Sequence, residues 1–257
     1  MVKGLYTSYT GMINEQHRMD VLTNNLANST TVGYKKEGTT SQSFDSVLAY
    51  KVKDISESPN IPRRIGVNTP GVKIGENYTD YTQGSFRITD NTFDLALDGD
   101  GFFAIEFTNK AGETSTKYTR DGSFTLTSEG YLVTKDGDYV MGTNGRIKLD
   151  PLQAASIDSN GQITQNGVAV AQLKLTDFED YNYLKKYGEN LYDAVEGATY
   201  RDASARIHSG YLEMSNVQVV SEMVDLITIT RQYEANQRII KAYDETLEIT
   251  ATQLGRV

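Results

Sequence analysis

The chain has no cysteine and no tryptophan, only two histidines and only four prolines among its 257 residues. Without cysteine there is no disulfide framework, no thiolate zinc or iron–sulfur site and no cysteine nucleophile. His17 and His208 alone leave little scope for a histidine-rich metal centre. A basic block is also missing: 25 Lys and Arg stand against 34 Asp and Glu, a formal charge of −9, which excludes the phosphate backbone of nucleic acid as the expected partner. No apolar run approaches the ~18 residues a membrane span needs, and the first residues lack the apolar core of a signal peptide. Neither integral membrane insertion nor a cleaved secretion signal is therefore expected. What the chain does have is glycine, 22 residues, and tyrosine, 17 residues. Flexible turns are plentiful and rigid linkers few.

Residues 3–28 read as a helix about 39 Å long at ~1.5 Å per residue. Leu5, Met12, Met19 and Leu26 recur every seventh position, with Tyr9, Ile13 and Leu22 broadening the face. The pattern stops at Asn28-Ser29-Thr30-Thr31-Val32-Gly33, where Gly33 suits the positive φ of a helix end. From 34 to 70 the polar composition and Pro59, Pro62 and Pro70 suggest an extended connector. From 71 to 209 the texture is β. Short apolar runs such as Phe102-Phe103-Ala104-Ile105-Glu106-Phe107 alternate with Asp98-Gly99, Asp100-Gly101, Asp121-Gly122, Asp136-Gly137, Asn144-Gly145, Asn160-Gly161 and Asn166-Gly167, pairs suited to type I′ hairpin turns.

A second helix is expected from 215 to 254, about 60 Å long. Ser215-Asn216-Val217-Gln218 has the form of a capping box. Val219, Leu226, Tyr233, Ile240, Leu247 and Leu254 then hold every seventh position, and Glu234 and Arg238 stand in the favourable i, i+4 order. The fold class expected is α+β: long N- and C-terminal helices forming a coiled-coil arm (1–33 with 210–257), a connector (34–70) and a mainly antiparallel β-domain (71–209). Such a pair leaves apolar surface facing water, and a further copy of the same chain is its simplest cover. The packing residues expected are Leu5, Met12, Met19, Leu26, Leu226, Tyr233, Ile240 and Leu247.

Sharper chemistry finds no support in the spacing. Placing Asp98-Gly99-Asp100-Gly101 in a calcium-loop register puts Ala96 first and Phe107 twelfth, so the bidentate carboxylate is missing. Gly99-x-Gly101-x-x-Ala104 precedes a strand pattern with no helix to cap a pyrophosphate. Acidic pairs such as Glu179-Asp180 and Asp244-Glu245 read as solvated surface, and Asn28 and Asn77 head sequons that occur often by chance. No catalytic, cofactor or metal residue is expected.

Asn24-Asn25-Leu26-Ala27-Asn28-Ser29-Thr30-Thr31-Val32-Gly33-Tyr34-Lys35 resembles the N-terminal signature of the bacterial flagellar axial proteins of rod and hook. Gly210-Tyr211-Leu212-Glu213-Met214-Ser215-Asn216-Val217, with Glu222 to Ile227 and Arg231 to Asn236, resembles their C-terminal signature. Phe93 to Phe103 and Tyr118 to Phe124 resemble the inner β-domain of the same family. The resemblance marks Asn25, Leu26, Ala27, Asn28, Gly33, Tyr34, Ser215, Asn216 and Val217 as motif residues. It implies a non-enzymatic subunit of the basal-body rod, which crosses the cell envelope and transmits torque. Its partners would be other copies of itself, neighbouring rod and hook subunits, and the flagellar type III export apparatus. The length leaves no room for the hook protein's outer domain; the distal rod is preferred, with the proximal rod as rival. A glycan-binding β-domain and a dissociating assembly factor are the readings of other classes.

Overall fold

A computed structural model describes residues 2–51, 63–109 and 112–254, with only the backbone of 2, 47–51, 63–65, 68 and 253–254 described. The chain divides into two compact units: one comprises residues up to Leu26, Glu37–Thr79 and the chain from Val219 onward, the other Ala27–Lys36 and Asp80–Gln218.

In the first unit, helix α1 spans Val2–Ala27 and helix α2 spans Val219–Ile249, followed by a π-helical turn at Thr250–Leu254. The second helix starts four residues later than the capping box suggested. Residues 215–218 are non-helical, and the Ser215 hydroxyl accepts the amide of Val217 at 3.3 Å, a local bond of the kind by which serine competes with helix. The stretch expected to be a connector contains strands. β1 (Glu37–Ser43) pairs antiparallel with β4 (Val72–Thr79), with a register shift between Thr39 and Ser41, and β2 (Val47–Lys51) pairs with β3 (Arg63–Asn68). Its polar composition did not signal them because β1 and β4 present no fully buried face; both are half-buried to exposed along their length. Pro59 and Pro62 lie outside the described residues.

In the second unit, every strand pairing among the described residues is antiparallel. β5 spans Phe86–Ile88, β6 Leu95–Asp98, β7 Phe102–Thr108 and β8 Thr114–Thr119. β7 lies inside a ten-stranded sheet, between β8 and Tyr139–Gly142, and also pairs with Leu175–Phe178. Its side chains alternate between two cores, as period-two strand geometry requires. Phe103 joins Leu95, Leu97, Phe124, Leu132, Val140 and Ile207 in one; Phe102 and Ala104 join Tyr118, Phe178 and Tyr192 in the other. That double burial is why β7 reads as a nearly continuous apolar run.

Of the expected hairpin pairs, Asn166-Gly167 takes positive φ at both residues (51° and 81°), between the strands Gln162–Gln165 and Val168–Gln172. This is the backbone a type I′ turn needs. Gly122 lacks a positive φ; a Cβ there would overlap the carbonyl of Leu95. Its glycine serves close packing.

Candidate functional site

The two terminal helices meet along positions that hydrophobicity alone does not mark. Gly4 lies beneath the ring of Tyr243, where an added Cβ would overlap the phenol. A Cβ at Gly11 would stand 3.1 Å from the Asn236 side-chain nitrogen, and the Asn25 amide lies 3.4 Å from a Glu222 carboxylate oxygen. On α1 these contacts fall at 4, 11 and 25, and on α2 at 243, 236 and 222. One index rises by the amount the other falls, so the helices run antiparallel with a seven-residue repeat.

Along α2 the buried and half-buried positions from Val219 are 219, 222, 226, 229, 230, 233, 236, 240 and 243. Apart from Thr230 they follow alternating steps of three and four, so one stripe carries two interleaved series. Leu226, Tyr233 and Ile240 belong to the first and are half-buried, while Leu247 is exposed. Glu222, Ile229, Asn236 and Tyr243 form the second, missed at the sequence level because two of its four members are polar. Leu5, Met12, Met19 and Leu26 are all half-buried on α1. Only the backbone of Leu254 is described.

The polar pair at one end of this seam is buried. Asn25 and Glu222 are 0% and 1% exposed. The Asn25 side chain also clasps the backbone of Glu37, donating to its carbonyl at 2.8 Å and accepting its amide at 3.0 Å. An amide that satisfies a strand backbone and a carboxylate together admits little freedom of register.

Away from the seam the helices expose apolar side chains. On α2, Val220, Met223, Val224 and Ile227 stand at i, i+3, i+4 and i+7. At ~100° per residue this face lies opposite Glu222 and Ile229, with Leu226 on its flank. On α1, Tyr6, Tyr9 and Ile13 form a second exposed strip, opposite Gly4 and Gly11.

In the β-rich unit the two family-like signatures come together around Glu213, whose side chain is fully buried. One carboxylate oxygen accepts Lys35 Nζ at 2.6 Å and the Gly84 amide at 3.0 Å; the other faces Arg120 Nη1 at 3.4 Å. Lys35 also donates to the Thr82 carbonyl at 2.8 Å. Burial pulls the Lys35 pKa below its usual value, although the Glu213 charge opposes the shift. Asn216 repeats the clasp: its carbonyl oxygen accepts the Lys36 amide at 2.8 Å, and its amide donates to the carbonyls of Asp80 and Thr82 at 2.9 and 3.2 Å.

Gly33 donates its amide to the Glu213 carbonyl at 2.8 Å with φ 69°, and a Cβ there would overlap the backbone of Arg120 and Asp121. Tyr34 is fully buried, with the Lys186 ammonium 4.2 Å from its ring centre. Ser215 and Val217 are buried, Leu26 and Asn28 half-buried, and Ala27 exposed. Asn28 accepts a hydrogen bond from the Thr31 hydroxyl at 3.1 Å. Sequence reading missed Lys35, Arg120 and Glu213 as site residues. The available signal was a charged residue inside each signature.

No group of three or more potential metal ligands occurs among the described residues, and no described helix is long and apolar enough to cross a membrane. His208 lies 3.5 Å from Asp98, and both are about half exposed.

Helices from the two chain ends meet in one unit, and in the other a buried charge cluster joins residues of the two terminal signatures. Residues 5–35 match the family described as flagella basal body rod protein, 96–165 the flagellar hook protein FlgE/F/G D1 domain, and 208–254 the flagellar basal body rod FlgEFG protein C-terminal region. The chain is 34% identical to the flagellar basal-body rod protein FlgG of Bacillus subtilis, over 96% of this chain and 97% of that one. It is 32% identical to the rod protein FlgF of Caulobacter vibrioides over 100% and 98%, and 32% identical to FlgG of Agrobacterium fabrum over 98% and 100%. The chain belongs to the flagellar basal-body rod protein family.

Proposed function

We propose that the chain is a structural subunit of the distal rod of the flagellar basal body, polymerising with copies of itself and joining neighbouring rod and hook subunits. It is not an enzyme; rod proteins of this family are structural. The observation that carries the packing reading is the pair of exposed apolar strips on the terminal helices. Val220, Met223, Val224 and Ile227 lie near the start of α2, and Tyr6, Tyr9 and Ile13 near the start of α1. In an antiparallel pair these starts are at opposite ends. A strip of one kind docking on the other kind in the next copy is a heterologous contact, and such contacts build open helical polymers when the rotation between copies does not close a ring.

In this reading α1 and α2 form a short antiparallel coiled coil within each copy, with Leu5, Met12, Met19, Leu26, Leu226, Tyr233 and Ile240 lining or flanking the seam, while Leu247 and the strips face neighbours. The domain division follows: helices for assembly, β-rich unit as body. The absence of cysteine is compatible with delivery by the type III export apparatus. The distal position rests on Tyr211 and the Tyr233-Glu234-Ala235-Asn236 stretch. Relatives bearing two rod-protein names match at 34% and 32%, so position along the rod is the first thing to test.

Electron cryotomography of basal bodies in a strain lacking the chain tests the proposal. A truncated rod without a hook, in non-motile cells, is expected, and a rod complete through its proximal part specifies the distal position. A complete rod and hook in swimming cells would overturn it.

A further inference from the structure

The β-rich unit is completed by the residues that immediately precede α2. β6 pairs with Arg206–Ser209 and β5 with Tyr211–Glu213; each has that one ladder among the described residues. Ile207, 3% exposed, enters the core of Leu95, Leu97, Phe103 and Phe124. Glu213 then supplies the carboxylate shared by two buried cations that come far earlier in the chain, Lys35 by 178 residues and Arg120 by 93. Both cations are at most 3% exposed, and Arg120 Nε has no hydrogen-bond partner among the described residues. Asp80 also favours the charge on Lys35, yet the balance of burial still disfavours it.

Before Glu213 is in place, closing the unit would bury two cations without their shared counter-ion, a cost far larger than local strand pairing returns. The loops to be closed are long, so their entropy is spent before the ion pairs form. We infer that residues 206–213 are a closing latch: the β-rich unit stays open until Glu213 reaches Lys35 and Arg120, and a chain emerging from its N-terminus therefore remains unfolded until nearly all of it is available. This inference concerns folding and does not depend on how copies pack.

Refolding of the full chain followed by pulsed hydrogen exchange reads the order directly. The latch requires that amides in 95–149 gain protection in the same phase as those in 206–214. Protection of 95–149 while 206–214 still exchange freely would overturn it. The variant Glu213→Gln keeps the shape and removes the charge, and is expected to slow that phase about a hundredfold, the scale of a broken buried ion pair. Adding Lys35→Met removes one orphaned cation and is expected to restore about a tenfold gain. If Glu213→Gln folds at the parental rate, or Lys35→Met gives no recovery in its background, the electrostatic latch is wrong. Should Glu213→Gln fail to fold at all, the double variant and the parental exchange order still decide.

Discussion

Replacing Val224 by Asp separates folding from assembly. Val224 is 57% exposed on α2. Covering it in a contact between copies would remove ~85 Å² of apolar surface, about 2 kcal/mol at ~25 cal/mol per Å². The strip of Val220, Met223, Val224 and Ile227 offers roughly 380 Å² on one partner and that of Tyr6, Tyr9 and Ile13 roughly 290 Å² on the other, so this contact supplies less than half of the ~1,600 Å² total of a standard interface and further surface of each copy must join it. Val224→Asp loses the ~2 kcal/mol and places a carboxylate in an apolar contact, at least ~2 kcal/mol more. The association constant should fall about a thousandfold at ~1.4 kcal/mol per decade. The folded monomer should change by no more than ~0.5 kcal/mol, because the position is open to solvent there. Pelleting over a concentration series gives the critical concentration for assembly, and urea melts give monomer stability. A variant with parental stability that assembles at the parental concentration would refute the strip as a contact between copies.

Asn25→Ala should cost about 3 kcal/mol in urea unfolding, since it removes the hydrogen bonds that the fully buried Asn25 side chain makes with the Glu37 backbone and the Glu222 carboxylate. Gly33→Ala should destabilise the β-rich unit by ~2 kcal/mol or more, because φ 69° and the overlap with the Arg120–Asp121 backbone both oppose a Cβ; a lowered Tm for that unit checks it. Burial alone would push the fully buried Asp177 carboxyl up, but hydrogen bonds from Arg201 and Tyr181 outweigh it and hold the pKa below the usual 3.8. Its folded value is depressed, so its contribution is present above about pH 3.8 and is lost as pH falls through the folded value. The acid limb of stability against pH should flatten in Asp177→Asn, and an unchanged limb would contradict the assignment.

The sequence carried the helices well and their contact poorly. Heptads of Leu226, Tyr233 and Ile240 stand out because all are apolar, whereas the facing series of Glu222, Asn236 and Tyr243 meets Gly4, Gly11 and Asn25, residues chosen for size and hydrogen bonding. Hydropathy is blind to a seam in which glycine makes the space and asparagine makes the bond. The start of α2 was misplaced because Ser215 resembles a cap in sequence but bonds locally to Val217. β1 was missed since Glu37–Ser43, E-G-T-T-S-Q-S, has neither alternation nor an apolar residue, and its pairing with β4 is set by tertiary context. Strand β7 was legible because each of its faces packs into a core. The Glu213 cluster joins residues up to 178 apart; a charged residue inside each signature marks its members, but nothing local signals which of them pair.

The cysteine-free chain allows the central claim, that copies pack through their terminal helices, to be tested with introduced thiols. Ile13→Cys and Val224→Cys are placed in separate chains, mixed, assembled and oxidised. Both residues are exposed in a single copy, so a mixed disulfide reports a contact between copies. A disulfide-linked dimer that forms in the assembled state and is absent from the same chains kept monomeric is the expected result. Assembly that proceeds normally with no such dimer would contradict the docking of one strip on the other.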